Sequence, residues 1–258
     1  MFRHIGGQTV NTVSFGSGDL PLVGISGSFG TWEIWQQPFE LLSSQRRVIG
    51  YDHYGTGETR VPAELVTFDN QVQLLASVLD DFEVERCVLA GDSTMTTVAL
   101  EAARRWPHRV AGLVLVSAGI DYTPDDAVIG FVHGLRHAFG ATLDAFVELC
   151  LPEDDSGHLR LWLRDIITRT GGERAAQLVE SFYEVDMRPH LRQIETPTLV
   201  IQGALDVLPT SPLSAAKELA REISNAELKV LSDAGHVPTL SRPEEVAKAI
   251  NTFITTRT

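Results

Sequence analysis

The sequence contains little cysteine, no excess of basic residues and no long apolar run. Its 258 residues include only Cys87 and Cys150, fewer than a disulfide scaffold of this length would use. The net charge is −13, and no basic run is present that could neutralise the phosphates of a nucleic acid. We find neither an apolar stretch typical of a signal peptide nor a window that approaches a membrane span. We therefore expect a reduced, cytoplasmic protein that binds neither nucleic acid nor membrane.

Motifs for common cofactors are also missing. There is no glycine fingerprint for a dinucleotide, no P-loop and no convincing metal cluster. His133 and His137 lie one helical turn apart, but no third ligand accompanies them, so a helix face is the simpler interpretation. We expect no cofactor and no metal. The expected partner is a small-molecule substrate, and the sequence carries no signal for an oligomeric state.

What is present is an alternation of short apolar segments and helical patterns. The clearest strand segments are residues 19–26, 46–52, 86–92, 112–118 and 197–203, with a further one at 226–235. Most are continuously apolar, as parallel strands are when helices cover both faces of a sheet. Thr67 precedes one amphipathic helix, and Ser241 to Glu244 form a capping box before the last one. This pattern predicts a doubly wound, mostly parallel α/β sheet.

Residues 120–196 break the alternation. They contain no convincing strand, and their apolar residues have the spacing of amphipathic helices separated by short links. A helical insertion between two strands of a parallel sheet is a natural lid. We therefore predict a core domain at residues 1–119 and 197–258, with a helical cap at 120–196.

Ser93 occupies the corner between an apolar strand segment and a helical pattern, in "CVLAGDSTMTTVALEAARRW". A sharp strand-to-helix turn presents its side chain above the sheet, beside the free N–H groups of the helix start. Ser93 is therefore either a helix cap or a nucleophile, for which the N–H of Thr94 would stabilise an oxyanion. Gly91 supplies the small residue that so tight a turn needs before the serine. Met95 departs from the G-x-S-x-G pattern two positions after it.

A serine nucleophile needs a base, and a histidine base needs an acid. Among eight histidines, His236 follows the last strand segment, in a loop that holds it at the carboxyl edge of the sheet. Asp206 lies just past the strand at 197–203. The chain order nucleophile, acid, histidine belongs to one fold, and it favours the nucleophile interpretation of Ser93. A second oxyanion donor is expected from the N–H of Ser28, in the glycine-rich loop after the first clear strand.

Four segments together resemble the α/β-hydrolase superfamily, and the similarity covers nearly all of the chain. They are "VIGYDHYGTGET", "LAGDSTMTTVALEAARRWPHRVAGLVLVSA", "DMRPHLRQIETPTLVIQGALDVLPT" and "LSDAGHVPTLSRPEEVAKAINTFI". The resemblance implies an α/β-hydrolase fold with a helical cap inserted before the acid strand. It implies the roles of nucleophile for Ser93, acid for Asp206 and base for His236. The oxyanion would be held by the backbone N–H groups of Ser28 and Thr94.

Two departures from the family pattern concern the site. Ser26-Gly27 replaces the usual His-Gly before the oxyanion loop, and this change is expected to alter hydrogen bonding beneath the loop. Met95 replaces a small residue, and three outcomes are open: it leans away from the neighbouring strand, reshapes the turn, or presses into the pocket. The residues expected to line the substrate pocket are Phe29, Trp32, Met95 and Val237.

The predicted function is cleavage of an ester or lactone bond in a small, mostly apolar substrate, through a Ser-His-Asp triad and an acyl-enzyme. Two alternatives use the same triad: a carbon–carbon bond hydrolase and a cofactor-free haloperoxidase. A third alternative belongs to another class, a ligand receptor or signalling protein with a hydrolase-like pocket. The departure at Met95 keeps this third alternative open.

Overall fold

The protein is built on one eight-stranded sheet, and the computed structural model describes residues 1–258. Its strands are β1 (Phe2–Ile5), β2 (Gln8–Phe15), β3 (Leu22–Ile25), β4 (Val48–Tyr51), β5 (Cys87–Asp92), β6 (Val110–Val116), β7 (Thr198–Gly203) and β8 (Ala226–Leu231). They lie in the order β1-β2-β4-β3-β5-β6-β7-β8. The β1–β2 and β2–β4 pairs are antiparallel, and every other pair is parallel. The predicted strand segments all fall on strands of this sheet.

The hairpin formed by β1 and β2 is absent from the sequence prediction. Ile5 pairs with Gln8 across a two-residue turn, in which Gly6 and Gly7 have φ of +58° and +78°. Glycine pairs suit such turns because both positions need a left-handed backbone. The Gly-Gly dipeptide was therefore the available signal for this hairpin.

Ten α-helices follow the strands. They are α1 (Gln36–Leu42), α2 (Phe68–Asp81), α3 (Met95–Arg105), α4 (Asp126–His137), α5 (Phe139–Cys150), α6 (Gly157–Thr170), α7 (Gly172–Glu180), α8 (Leu213–Glu222), α9 (Pro238–Ser241) and α10 (Pro243–Arg257). As predicted, Thr67 caps α2, because its Oγ1 accepts the N–H of Asn70 at 3.2 Å. The capping box predicted at Ser241 is wrong. Ser241 belongs to α9, so its backbone is already helical, and α10 begins at Pro243 without a side-chain cap.

Helices cover both faces of the sheet. Successive residues of a strand point to opposite faces, and accordingly Val88 and Leu89 of β5 join two different apolar clusters. The smaller cluster contains Phe39 of α1 and Phe253 of α10. The larger one contains residues of α2, α3 and α8, and it continues into the helices that follow β6. All residues of β5 and β6 are buried, which explains their continuously apolar sequences.

Helices α4 to α7 form a cap between β6 and β7. The cap contains no strand, and one isolated bridge joins Asp121 to Asp186 at its base. The cap lies above the carboxyl ends of β5, β7 and β8, because residues of α4 and α5 line one cavity together with the turns after β5 and β7, and Glu153 contacts the loop after β8. The division of the chain into a core domain and a cap at residues 119/120 and 196/197 stays a prediction.

No helix of the protein combines the length and the apolar character that crossing a membrane would require.

Candidate active site

Ser93 lies in a sharp turn between β5 and α3. Its φ is +52°, a left-handed conformation that costs a residue with a side chain about 1–2 kcal/mol. Its N–H donates to Val116 O at 2.9 Å, which anchors the turn to β6. A Cβ on Gly91 would lie 2.7 Å from Met95 O, so the helix passes too close to the strand for any larger residue. The turn is thus the strained, narrow type that presents a nucleophile.

Met95 does not reach the cavity above Ser93. Its side chain is fully buried in the larger apolar cluster, and it is absent from the cavity wall. Its backbone approaches Gly91. Of the three outcomes open for Met95, the structure contradicts the one in which the side chain presses into the pocket. Its inclusion among the pocket residues is therefore corrected.

Of the other three residues predicted to line the pocket, two line a cavity and one does not. Phe29 lines the space above Ser93, and Val237 lines a smaller cavity of about 50 Å³ beside it. Trp32 lies elsewhere: its ring packs against Phe15, with centroids 6.0 Å apart. Trp32 begins a 3₁₀ helix and lines neither cavity, so its place in the pocket is also corrected.

His236 and Asp206 meet Ser93 in one chain of hydrogen bonds. His236 Nε2 lies 3.0 Å from Ser93 Oγ, and Nδ1 lies 2.8 Å from Asp206 Oδ2. The three residues come from the turns after β5, β7 and β8, whose carboxyl ends lie at one edge of the sheet. The side chains of His236 and Asp206 are 4% and 0% exposed. The structure therefore brings together the three side chains that the sequence singled out.

Two further side chains, which sequence reasoning missed, hold Asp206. Its Oδ2 accepts hydrogen bonds from Gln202 Nε2 at 2.9 Å and Ser211 Oγ at 3.0 Å. Its Oδ1 accepts the N–H of Leu208 at 3.0 Å. Ser211 Oγ is also 3.0 Å from His236 Nδ1. No motif marks Gln202 or Ser211, because their contacts depend on how the loop after β7 folds back.

The electrostatic environment of Asp206 and His236 favours an ion pair between the Asp206 carboxylate and a protonated His236. Burial tends to raise the pKa of Asp206, but His236 and the surrounding donors outweigh it and hold that pKa below its ordinary value. Burial likewise opposes charge on His236, yet the neighbouring Asp206 carboxylate raises its pKa above the ordinary value. An imidazolium formed during a reaction would thus be stabilised in place.

Two residues that border the same cavity as Ser93 have backbone N–H groups without partners in the protein. They are Ser28 and Thr94, and neither N–H donates a hydrogen bond. The hydroxyls of the same two residues are 2.7 Å apart, which ties the loop after β3 to the start of α3. A Cβ on Gly27 would lie 3.0 Å from Ser93 Cβ, so glycine allows this close approach. Unpartnered N–H groups beside Ser93 are what the predicted oxyanion hole requires.

Two hydrogen bonds support the loop after β3 from beneath. The Ser26 hydroxyl donates to Thr31 O, and support for the loop comes from a histidine of another strand end. His53, after β4, lies with Nε2 3.2 Å from Gly27 O. It is 1% exposed, and burial lowers its pKa from 6.5 to about 4. His53 therefore donates to Gly27 as a neutral ring.

Replacing His53 with glutamine should reduce the loss of unfolding free energy that the protein undergoes as the pH falls below 7. Because its folded-state pKa lies below the unfolded one, the unfolded chain binds the proton more readily, and stability falls as pH falls from 6.5 toward 4. A gap of about 2.5 pH units corresponds to about 3 kcal/mol. We expect the parent protein to lose about that much more unfolding free energy than His53→Gln between pH 7 and pH 4.

Urea unfolding at several pH values measures this difference. Burial raises the pKa of Asp92 to about 6, which acts in the opposite direction but equally in both proteins, so the comparison isolates His53. His158→Gln, at an exposed position of the cap, is the matched control. Parallel profiles for the parent and His53→Gln would contradict the assignment of a neutral, buried His53.

A cavity of about 590 Å³ lies between Ser93 and the cap. Its floor includes Ser28, Phe29, Ser93 and Thr94, and its walls come from α4, α5, the chain after α7 and the loop after Asp206. A volume of this size matches typical small-molecule sites. The candidate nucleophile and both free N–H groups thus border a space that a substrate can occupy.

The cap also holds the loop that carries His236. The N–H of His236 donates to Cys150 O at 2.9 Å, and the N–H of Gly235 donates to Glu153 Oε1 at 2.7 Å. Glu153 is buried, and a Cβ on Gly235 would lie 2.3 Å from Pro152 Cδ. The segment at residues 150–153 is therefore packed directly on the histidine loop, a contact that no sequence pattern signalled.

Comparison with known proteins connects this geometry to named relatives. A family model described as "Alpha/beta hydrolase family" matches residues 22–249. The putative carbamate hydrolase RutD of Pseudomonas syringae is 27% identical over 93% of this chain and 95% of its own. The pimeloyl-[acyl-carrier protein] methyl ester esterase of Aromatoleum aromaticum is 33% identical over 70% of this chain and 77% of its own.

Solved structures give the same result for the fold. The enol-lactonase from Burkholderia xenovorans superposes with a TM-score of 0.92 at 21% identity, covering 99% of this chain and 100% of that one. The esterase from Exiguobacterium antarcticum gives a TM-score of 0.91 at 20% identity, covering 99% of both chains. At such identities the likeness is one of fold, and it confirms the architecture predicted from the sequence.

Proposed function

The chain belongs to the alpha/beta hydrolase family, and on this premise we propose that it is a serine hydrolase that cleaves a carboxylic ester or lactone bond. Ser93, His236 and Asp206 form the triad. The observation that carries the proposal is the continuous hydrogen-bond chain from Ser93 Oγ through His236 to Asp206, at the floor of a cavity that also presents two free N–H groups. Relatives named as esterases and an enol-lactonase support the choice of bond.

In the first half of the reaction, Ser93 Oγ attacks the substrate carbonyl carbon while His236 Nε2 accepts its proton. The carbonyl oxygen becomes an oxyanion, which accepts hydrogen bonds from the N–H groups of Ser28 and Thr94. Asp206 fixes the Nδ1–H tautomer of His236 and stabilises the imidazolium. The tetrahedral intermediate then expels the alkoxide, which takes the proton from His236 and leaves an acyl group on Ser93.

In the second half, water replaces the alcohol. His236 Nε2 accepts a proton from the water as its oxygen attacks the acyl carbon, and the same two N–H groups hold the second oxyanion. Collapse of this intermediate breaks the bond to Ser93 Oγ, which regains its proton from His236. For a lactone the leaving alcohol stays attached to the acyl chain, and a hydroxy acid is released.

The assembled triad also bears on the receptor alternative. A receptor needs a cavity, whereas a buried base aligned 3.0 Å from Ser93 Oγ is what an activated nucleophile requires. The departure at Met95, which kept that alternative open, concerns a core side chain. Both observations favour an enzyme. The carbon–carbon bond hydrolase and the haloperoxidase use the same triad and stay alternatives within it.

Labelling with a fluorophosphonate tests the proposal. Such probes react with activated serines, so we expect one adduct per folded chain, located on Ser93 by peptide mass spectrometry. Heat-unfolded protein, in which His236 is no longer aligned, is the matched control and should remain unlabelled. Folded protein that stays unlabelled, or that carries the adduct on another serine, would contradict the assignment and support the receptor alternative.

A further inference from the structure

The walls of the large cavity are mainly apolar and partly aromatic. Hydrophobic residues make up 12 of the 21 that line it. Phe29, Phe131 and Phe146 form one aromatic group, with ring centroids 5.2 to 6.1 Å apart. Tyr122 and Phe182, with ring centroids 6.0 Å apart, form a second aromatic group in the cavity wall. Such rings bind flat or branched apolar groups over a large contact area.

The charged side chains of the cavity are all acidic. Asp121 and Asp125 line it, and no lysine, arginine or histidine does. Asp121 is neutralised in part by Arg188, whose Nη2 lies 2.9 Å away but which does not line the cavity. Asp125 is exposed and caps α4, where its Oδ1 accepts the N–H of Val128 at 2.8 Å. A negative charge therefore stands at the cavity wall without a cationic partner.

A carboxylate on the substrate would find no counterion here. Moving an ionised carboxylate out of water into an apolar wall is costly unless a cation or several donors replace its hydration. The free donors near Ser93 are the N–H groups of Ser28 and Thr94, and the reacting carbonyl oxygen uses them. The rest of the cavity is lined by aromatic rings, by neutral hydroxyl-bearing residues (Thr123, Thr142, Thr210, Tyr122 and Tyr183) and by one like charge, and it offers no cation.

We propose that the site selects esters or lactones whose acyl or alcohol group is bulky, apolar and free of negative charge. This inference rests on the proposed function and narrows it. The aromatic walls bind the bulky group, and the missing cation, together with Asp125, excludes substrates that carry a carboxylate away from the reacting bond. The volume of about 590 Å³ admits a group well beyond the size of acetate.

Three esters of one alcohol test this selection, because each releases the same nitrophenolate. They are 4-nitrophenyl acetate, 4-nitrophenyl 5-phenylvalerate and the analogue of the latter with a para-carboxylate on its ring. We expect kcat/KM for the phenylvalerate to exceed that for acetate by about 10-fold. We expect the carboxylate analogue to fall below the phenylvalerate by on the order of 100-fold. Equal values for the phenylvalerate and its carboxylate analogue would overturn the inference.

Failure of the inference is distinguishable from failure of the proposed function. If the function is wrong, none of the three esters is turned over and Ser93 is not labelled. If only the selection is wrong, acetate is hydrolysed while the carboxylate analogue is hydrolysed as fast as its uncharged partner.

A matched pair of variants tests the part assigned to Asp125. Asp125→Asn keeps an effective cap for α4 and removes the charge, and it should reduce the discrimination between the two large esters several-fold. Asp126→Asn removes a charge at the next position, whose side chain does not line the cavity, and should leave that discrimination unchanged. Equal effects of the two variants would show that Asp125 acts only through the overall charge, which would overturn its assigned role.

Discussion

Ser93→Ala is expected to lower kcat/KM for a nitrophenyl ester by at least about 10⁴-fold, because removing a triad nucleophile leaves only oxyanion stabilisation and binding. Ser93 Oγ lies 3.0 Å from His236 Nε2, and Ser93 borders the large cavity. Initial rates of nitrophenolate release measure the effect. Retention of more than about a tenth of the parent activity would exclude Ser93 as the nucleophile.

A second replacement at the same position, Ser93→Gly, tests the backbone strain assigned to the turn separately from the loss of activity. Ser93 has φ of +52°, which glycine adopts without the steric cost that alanine keeps. Ser93→Gly should therefore be as inactive as Ser93→Ala but more stable to unfolding by about 1 kcal/mol. Thermal unfolding followed by circular dichroism measures this difference. Equal stability of the two variants would contradict the strain assigned to the turn.

Asp206→Asn is expected to lower kcat/KM by about 10⁴-fold, because an amide can no longer fix the Nδ1–H tautomer of His236 or balance its charge. The replacement is nearly isosteric, so the hydrogen bond from Leu208 N–H can be retained. The Asp206 carboxylate raises the pKa of His236, and its removal lowers that pKa. The acid limb of the residual kcat/KM profile should therefore move to lower pH.

Ser211→Ala is the matched control for Asp206. It removes one of three donors to Oδ2 and leaves the carboxylate against His236, so we expect a loss of about 10-fold or less. If Asp206→Asn lost no more than Ser211→Ala, the acid would have to be another group. Asp92 is the alternative in that case, since it is the other buried carboxylate whose charge acts on His236.

The sequence predicted the central sheet well because each of its buried strands carries its own apolar signal. β5 and β6 are buried on every residue, so burial and hydropathy coincide. The hairpin of β1 and β2 was missed because its strands are partly exposed and lack such a run. The cap was predicted as helical from periodicity, whereas its contact with the histidine loop joins residues 82 positions apart in the sequence.

The convergence of Ser93, Asp206 and His236 was predictable for a similar reason: each residue follows a recognisable strand at one edge of a parallel sheet. The supporting residues were not, since Gln202, Ser211 and His53 act through distances that only folded loops define. Met95 and Trp32 were misplaced in the pocket for the opposite reason. Their positions near the motif were known, but the direction of a side chain depends on the local backbone, which turns Met95 into the core and Trp32 toward Phe15.

Because residues 150–153 contact the histidine loop, the cap cannot be exchanged for that of another protein without affecting this loop. Because Cys150 O and Glu153 Oε1 accept the N–H groups of His236 and Gly235, a foreign cap grafted for a new specificity would disturb the base unless this short segment were retained. Mutations intended to change the substrate range are therefore best confined to α4 and the N-terminal part of α5. There the wall can vary while the reacting groups keep their alignment.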